Sequence, residues 1–140
     1  MTDQNYTTVF TVDRTPEEVF AAIKNVRGWW TGDIDGNPDK LGDEFTYRYQ
    51  DLHYSKQRVT AFVPSKEIVW HVLEGGPNFV VDRTEWTDTK ITFEISERGG
   101  ETEVRFTHVG LVPDYECFDV CSDAWGGYIK GSLRDLIIAR

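Results

Sequence analysis

A chain of 140 residues with 39% hydrophobic and 14% aromatic side chains has enough apolar material for one domain, expected over 1–140, without disulfide or metal staples. Its 15 basic against 24 acidic residues leave a net charge of −9, which argues against nucleic-acid or anionic-membrane partners, because clustered cations recognise both. No apolar run nears the roughly 20 residues of a membrane helix, and the start M-T-D-Q-N-Y-T-T lacks a basic, hydrophobic leader, so a cytoplasmic protein with no membrane insertion is expected.

Residues 5–12, N-Y-T-T-V-F-T-V, are β-branched and aromatic and predict a strand. T-P-E-E-V-F-A-A-I-K follows. Thr15 suits an N-cap, Pro16 the first helical position and Glu18 the acid of a capping box. Val19, Phe20 and Ile23 then recur at helical spacing. The next stretch, V-R-G-W-W-T-G-D-I-D-G-N-P-D-K-L-G-D, predicts a second short helix ending near Trp30 and then a loop.

Three alternating runs come next. Phe45, Tyr47 and Tyr49 share one face, then Val59, Ala61 and Val63, then Ile68, Trp70 and Val72. G-G-P at 75–77 breaks the pattern, and 78–88 is ambiguous between loop and strand. Ile91, Phe93 and Ile95 alternate, as do Val104, Phe106 and His108, joined by a hairpin turn at E-R-G-G-E. His53 is read as part of a turn, and His71 as facing outward, opposite Trp70.

After Pro113 the period becomes helical to the end. On a wheel of about 100° per residue, Phe118, Trp125, Ile129 and Leu136 form the inner stripe, flanked by Cys121, Tyr128 and Leu133. Gly127 and Gly131 fall on the opposite side, as a smooth outer strip that a second copy of the chain could approach. Cys117 and Cys121 lack a neighbouring histidine and are expected to be reduced packing thiols. Asp33, Asp35, Asp39 and Asp43 lack the glutamate that completes a calcium loop, and Pro38 disrupts its geometry. No metal and no cofactor are expected.

The pattern is an α+β one: about six antiparallel strands with one apolar face, two short helices after the first strand, and one long helix able to cover that face. A sheet curving away from the helix would leave an apolar cavity in which Tyr47, Tyr49, Trp70, His108 and Trp125 offer polar handles.

Four stretches carry a family likeness: T-P-E-E-V-F-A-A-I at 15–23, W-W at 29–30, E-W-T-D-T-K-I-T-F-E-I at 85–95, and C-S-D-A-W-G-G-Y-I-K-G-S-L-R-D-L at 121–136. The chain resembles the START-like (SRPBCC, birch-pollen-allergen-like) superfamily. Within it, the branch named for the activator of the heat-shock-protein-90 ATPase is the nearest. The resemblance implies a helix-grip fold, a curved sheet wrapped around the C-terminal helix. The superfamily includes lipid and hormone carriers, polyketide cyclases, dioxygenase subunits and the co-chaperone domain. The eukaryotic co-chaperone engages its partner through an additional N-terminal domain, for which these residues leave no room.

The leading expectation is therefore a non-enzymatic binder of a small hydrophobic or amphipathic molecule. Its candidate lining is Trp30, Phe45, Tyr47, Tyr49, Trp70, Phe93, Phe106, His108, Phe118, Trp125 and Ile129. A chaperone-associated module and a cofactor-free cyclase or hydrolase stand as alternatives. The last would use His108 as its acid–base group, against the competing reading that His108 pairs with a backbone carbonyl. A homodimer is left open.

Overall fold

The structure is a computed structural model that describes residues 5–30, 32–50, 53–77, 86–111 and 118–139. Seven strands form one antiparallel sheet: β1 (Tyr6–Val12), β2 (Asp33–Gly36), β3 (Glu44–Tyr49), β4 (His53–Val63), β5 (Glu67–Pro77), β6 (Lys90–Arg98) and β7 (Glu101–Val109). Their order is β1-β7-β6-β5-β4-β3-β2. The chain thus meanders from β2 to β7, and β1 closes onto β7 with Tyr6 opposite His108 and Phe10 opposite Val104. Inner positions on β5 and β6 are apolar and buried, Ile68, Trp70 and Val72 on the first and Ile91, Phe93 and Ile95 on the second.

Helix α1 (Pro16–Lys24) carries the expected capping box. The Glu18 N–H donates to Thr15 Oγ1 at 3.1 Å, and the Thr15 N–H donates to Glu18 Oε1 at 3.0 Å. Val19, Phe20, Ala22 and Ile23 are its buried face, set against β6 and the C-terminal helix. The expected second helix is a single 3-10 turn, Val26–Gly28. Gly28 leaves space that Leu136 and Asn25 occupy, since a Cβ there would lie 2.9 Å from Leu136 Cδ2.

Three sequence readings are corrected. The loop after Trp30 contains β2, hydrogen-bonded to β3, with Ile34 opposite Tyr47. Its four residues hold one aliphatic side chain between two aspartates, too short for alternation to show. The Arg27 guanidinium secures it, donating to the carbonyls of Ile34 and Gly36 at 2.9 Å each and to Asn37 Oδ1 at 2.9 Å. Second, β5 continues through the glycines to Pro77. Gly75 has φ +118, and a Cβ on it would run into the Tyr54 carbonyl; glycine is what lets β4 and β5 stay paired here. Third, a register shift between Val59 and Ala61 changes which side chains of β4 face in. Val59 is buried, but Val63 is exposed and Phe62 packs on Phe20 at 5.1 Å. A bulge of this kind bends the strand and re-aims its side chains. The ambiguous segment falls largely outside the described residues, as does Cys117.

The C-terminal helix runs as α2 (Phe118–Gly126), a π-helical segment (Gly127–Leu133) and α3 (Arg134–Ile138). Its buried residues are Cys121, Trp125, Ile129, Leu133 and Ile137. Phe118 and Leu136, expected on the inner stripe, are only partly buried. The buried spacing is four throughout. An α-helix turns roughly 100° per residue, so four residues overshoot one turn by roughly 40°. The wider π turn, with its i→i+5 bonds, rotates less per residue and takes up that overshoot.

Candidate functional site: an aromatic cavity beneath the C-terminal helix

A cavity of about 200 Å³ lies between the β3–β4 end of the sheet and α2. Trp30 enters it from the chain leaving the 3-10 turn. Tyr47 and Tyr49 come from alternate positions of β3, His53 from the start of β4, and Trp86 from the turn before β6. Val120, Cys121, Ala124, Trp125 and the π-segment residue Tyr128 supply the helical wall. The wall passes from fully buried Trp125 to exposed Val120, so the cavity reaches the surface beside α2.

The rings are mutually ordered. Trp30 stacks on Tyr47 with centroids 3.9 Å apart and planes 12° apart. Trp86 stacks on Trp125 at 5.6 Å and 16°. His53 sits edge-on between them, 4.3 Å from Trp86 and 5.4 Å from Tyr47. None of the lining side chains among the described residues carries a formal charge. Burial holds His53 down to about 4, so the ring is neutral at pH 7. Burial, then the hydrogen bond with Tyr128, pushes the Tyr47 hydroxyl far above the ordinary phenol range.

Behind this wall lies a closed polar relay. Trp125 Nε1–H donates to His108 Nδ1 at 3.0 Å. An indole nitrogen can only donate, so Nδ1 carries the lone pair and Nε2 the proton. That proton goes to Thr89 Oγ1 at 2.8 Å, and the Thr89 hydroxyl donates to the Trp86 carbonyl at 2.6 Å. His108 is fully buried. Desolvation, then the nearby His53, drives it down to about 3. Both ring nitrogens are therefore spent on holding Trp125 and the Trp86 turn in place.

Comparison with known proteins follows this geometry. A family model described as Activator of Hsp90 ATPase homolog 1-like protein matches residues 13–137. The chain belongs to this family. No curated protein matches the sequence. Among solved structures, the Aha1 dimer from Colwellia psychrerythraea is 24% identical with a TM-score of 0.77, covering 95% of each chain. Protein MLL2253 from Mesorhizobium loti is 18% identical with a TM-score of 0.72, covering 95% of this chain and 97% of its own. Ara h 8.0201 shares 9% identity at a TM-score of 0.66 over 97% of this chain and 98% of its own. These likenesses establish the START-like, helix-grip fold.

On this helix-grip frame the sequence-predicted residues separate into two sets. Trp30, Tyr47, Tyr49 and Trp125 meet at the cavity. Phe45, Trp70, Phe93, Phe106 and Ile129 are buried in the core beside it, with Trp70 5.0 Å from both Phe45 and Phe93. Phe118 is partly buried against that core, and His108 sits in the relay. The sequence reading left His53 in a turn and gave no site role to Trp86, Tyr128, Val120, Cys121 or Ala124. His53 was recoverable: counting back by twos from inward Val59 reaches Gln57, Ser55 and His53. Trp86 lies where no period runs and gave no such signal. Trp29, the neighbour of Trp30, holds the short turn to the core. It is buried, stacks on Trp70, and donates its N–H to the Ile23 carbonyl at 3.2 Å.

Proposed function

We propose that this domain binds a small hydrophobic or amphipathic molecule in the cavity between the sheet and the C-terminal helix. The observation that supports it is a ring-lined space of about 200 Å³ that reaches the surface and in which no described side chain is charged. Such a wall favours transfer of an apolar guest from water and penalises an unpaired ion. Native mass spectrometry of protein taken from cells, with thermal-shift screening against lipids and aromatics, tests the reading. A bound mass or a stabilising aromatic supports it. A bare mass and no stabilising compound would remove it.

A chaperone-associated, protein-binding role is the second reading, supported by the family itself. Its test is the ATPase rate of heat-shock protein 90 with this protein at saturation, where an unchanged rate excludes it. The solved Colwellia relative is a dimer, and a similar pairing here would use the outer strip of α2 and the π segment. A Cβ on Gly127 or Gly131 would meet no atom within 4 Å, which leaves room for a second backbone. Loss of a dimer mass in Gly127→Leu supports that pairing, and a monomeric wild type eliminates it. The cyclase or hydrolase reading ranks lowest, because His108 has no free nitrogen to offer a substrate.

A further inference from the structure

The polar atoms around the cavity differ in their availability to a guest. Both nitrogens of His108 are committed. The Gln57 amide and the indole N–H groups of Trp70 and Trp86 have no partner among the described residues, but they are sealed within protein. His53 is different. It forms part of the cavity wall, and its Nε2 lies 3.3 Å from Ser55 Oγ.

The Ser55 hydroxyl decides the tautomer. Ser55 is fully buried, and among the described residues His53 is the one hydrogen-bond partner of its side chain. A hydroxyl that only accepted from His53 would keep its own proton buried and unpaired. One that donates to Nε2 is satisfied. The ring proton of neutral His53 then sits on Nδ1, for which the described residues supply no acceptor.

The remaining walls set the rest of the guest's chemistry. Among the described residues no charged side chain lines the space, and these walls leave an ionic head group uncompensated. The volume is about 200 Å³. An engineered apolar cavity of about 150 Å³ holds benzene, so a guest of one or two small rings matches this one. The Trp, Tyr and His rings favour stacked or edge-on aromatic partners over flexible acyl chains.

We infer that His53 is the ligand-orienting residue, its Nδ1–H donating to the carbonyl oxygen of an uncharged one- or two-ring aromatic guest. This rests on the cavity reading above. Indane and 1-indanone test it, because they share a ring skeleton and differ at one carbonyl. Wild-type protein is expected to bind 1-indanone about fivefold tighter, as one net hydrogen bond gives. The double variant His53→Phe/Ser55→Ala, which leaves no hydroxyl unpaired, is expected to lose the preference and bind the two probes equally. Nitrogen-15 NMR of ring-labelled histidine in the wild type gives an independent readout. His53 should be protonated at Nδ1, and that proton should shift with 1-indanone and not with indane. Protonation at Nε2, or a preference that survives in the double variant, overturns the assignment. Equal binding of the two probes by wild type overturns it while the cavity reading stands. Binding of neither overturns the assignment of a small aromatic guest.

Discussion

The two inward histidines predict an acid limb of stability. His108 is held at about 3 and His53 at about 4 in the folded protein, against about 6.5 in an unfolded chain. Below pH 6.5 the unfolded state therefore binds protons that the folded state refuses. Stability rises with pH across this window and is lost as pH falls from about 6.5 towards 3. Between pH 7 and pH 4.5, His108 alone accounts for a loss of about 3 kcal/mol. His53, at a partly open wall, adds a smaller share. Glu44, held low by its hydrogen bond to Arg58, acts in the same direction at still lower pH.

Urea unfolding followed by tryptophan emission, repeated every half unit between pH 7 and 4.5, measures this slope. His108→Asn is the control. Its side chain keeps an acceptor for the Trp125 N–H, cannot titrate, and is expected to start less stable at pH 7. Its acid slope should fall by about 1.4 kcal/mol per pH unit near pH 5. A wild type whose stability is flat over this window, or a variant with an unaltered slope, refutes the buried neutral assignment of His108.

Thr15→Ala removes the capping box and should cost about 1 kcal/mol in urea unfolding without changing the denaturant slope. Arg27→Ala breaks the clasp on the Ile34 and Gly36 carbonyls. It should speed hydrogen exchange across β2 and β3 while leaving β6 and β7 protected, and uniform acceleration would show that the clasp is not local. Thr89→Val keeps the shape but strands the His108 N–H, while the Trp86 carbonyl keeps the Thr89 backbone N–H. The expected loss is about 1–3 kcal/mol, seen as a fall in Tm, and a change below about 0.5 kcal/mol would mean the relay carries little.

What the sequence disclosed depended on whether a face repeats. Strands β6 and β7 were plain, because Ile91, Phe93 and Ile95 and then Val104, Phe106 and His108 alternate without interruption. The capping box spans the four residues from Thr15 to Glu18 and was equally plain. β2 was hidden by its brevity and by a partner, Arg27, that binds its carbonyls from outside the strand. The inner face of β4 was misread beyond Val59, because a register shift carries no mark in composition. At the site, Tyr47, Tyr49 and Trp125 were found on periodic elements, whereas His53 on β4, Val120, Cys121, Ala124 and Tyr128 on the helix, and Trp86 in a turn were not. His108 was placed inward correctly. Its occupation by Trp125 and Thr89 depends on partners 17 and 19 residues away, and no spacing rule brings those together.

The C-terminal helix shows how the cavity wall and the fold constrain each other. A straight α-helix would rotate a stripe of Cys121, Trp125, Ile129, Leu133 and Ile137 through roughly 160° from one end to the other, turning half of it to solvent. The π segment between Gly127 and Leu133 removes that rotation, so Trp125 reaches the relay while Ile137 stays in the core. Glycines flank and enter this segment at 126, 127 and 131, where each weakens the α-helix by about 1 kcal/mol relative to alanine. A lower α preference makes the change of winding less costly, yet the five buried side chains fix the register. Gly127 is exposed, and a Cβ on it meets nothing within 4 Å. If packing sets the winding, Gly127→Ala gains stability of about 0.5–1 kcal/mol, with tryptophan emission and the His108 NMR resonances unchanged. If glycine itself sets it, alanine tightens the turn, rotates Ile129 away from the sheet and lowers stability. The buried spacing of four favours the first outcome, because it persists in α2 before the π segment begins and in α3 after it ends.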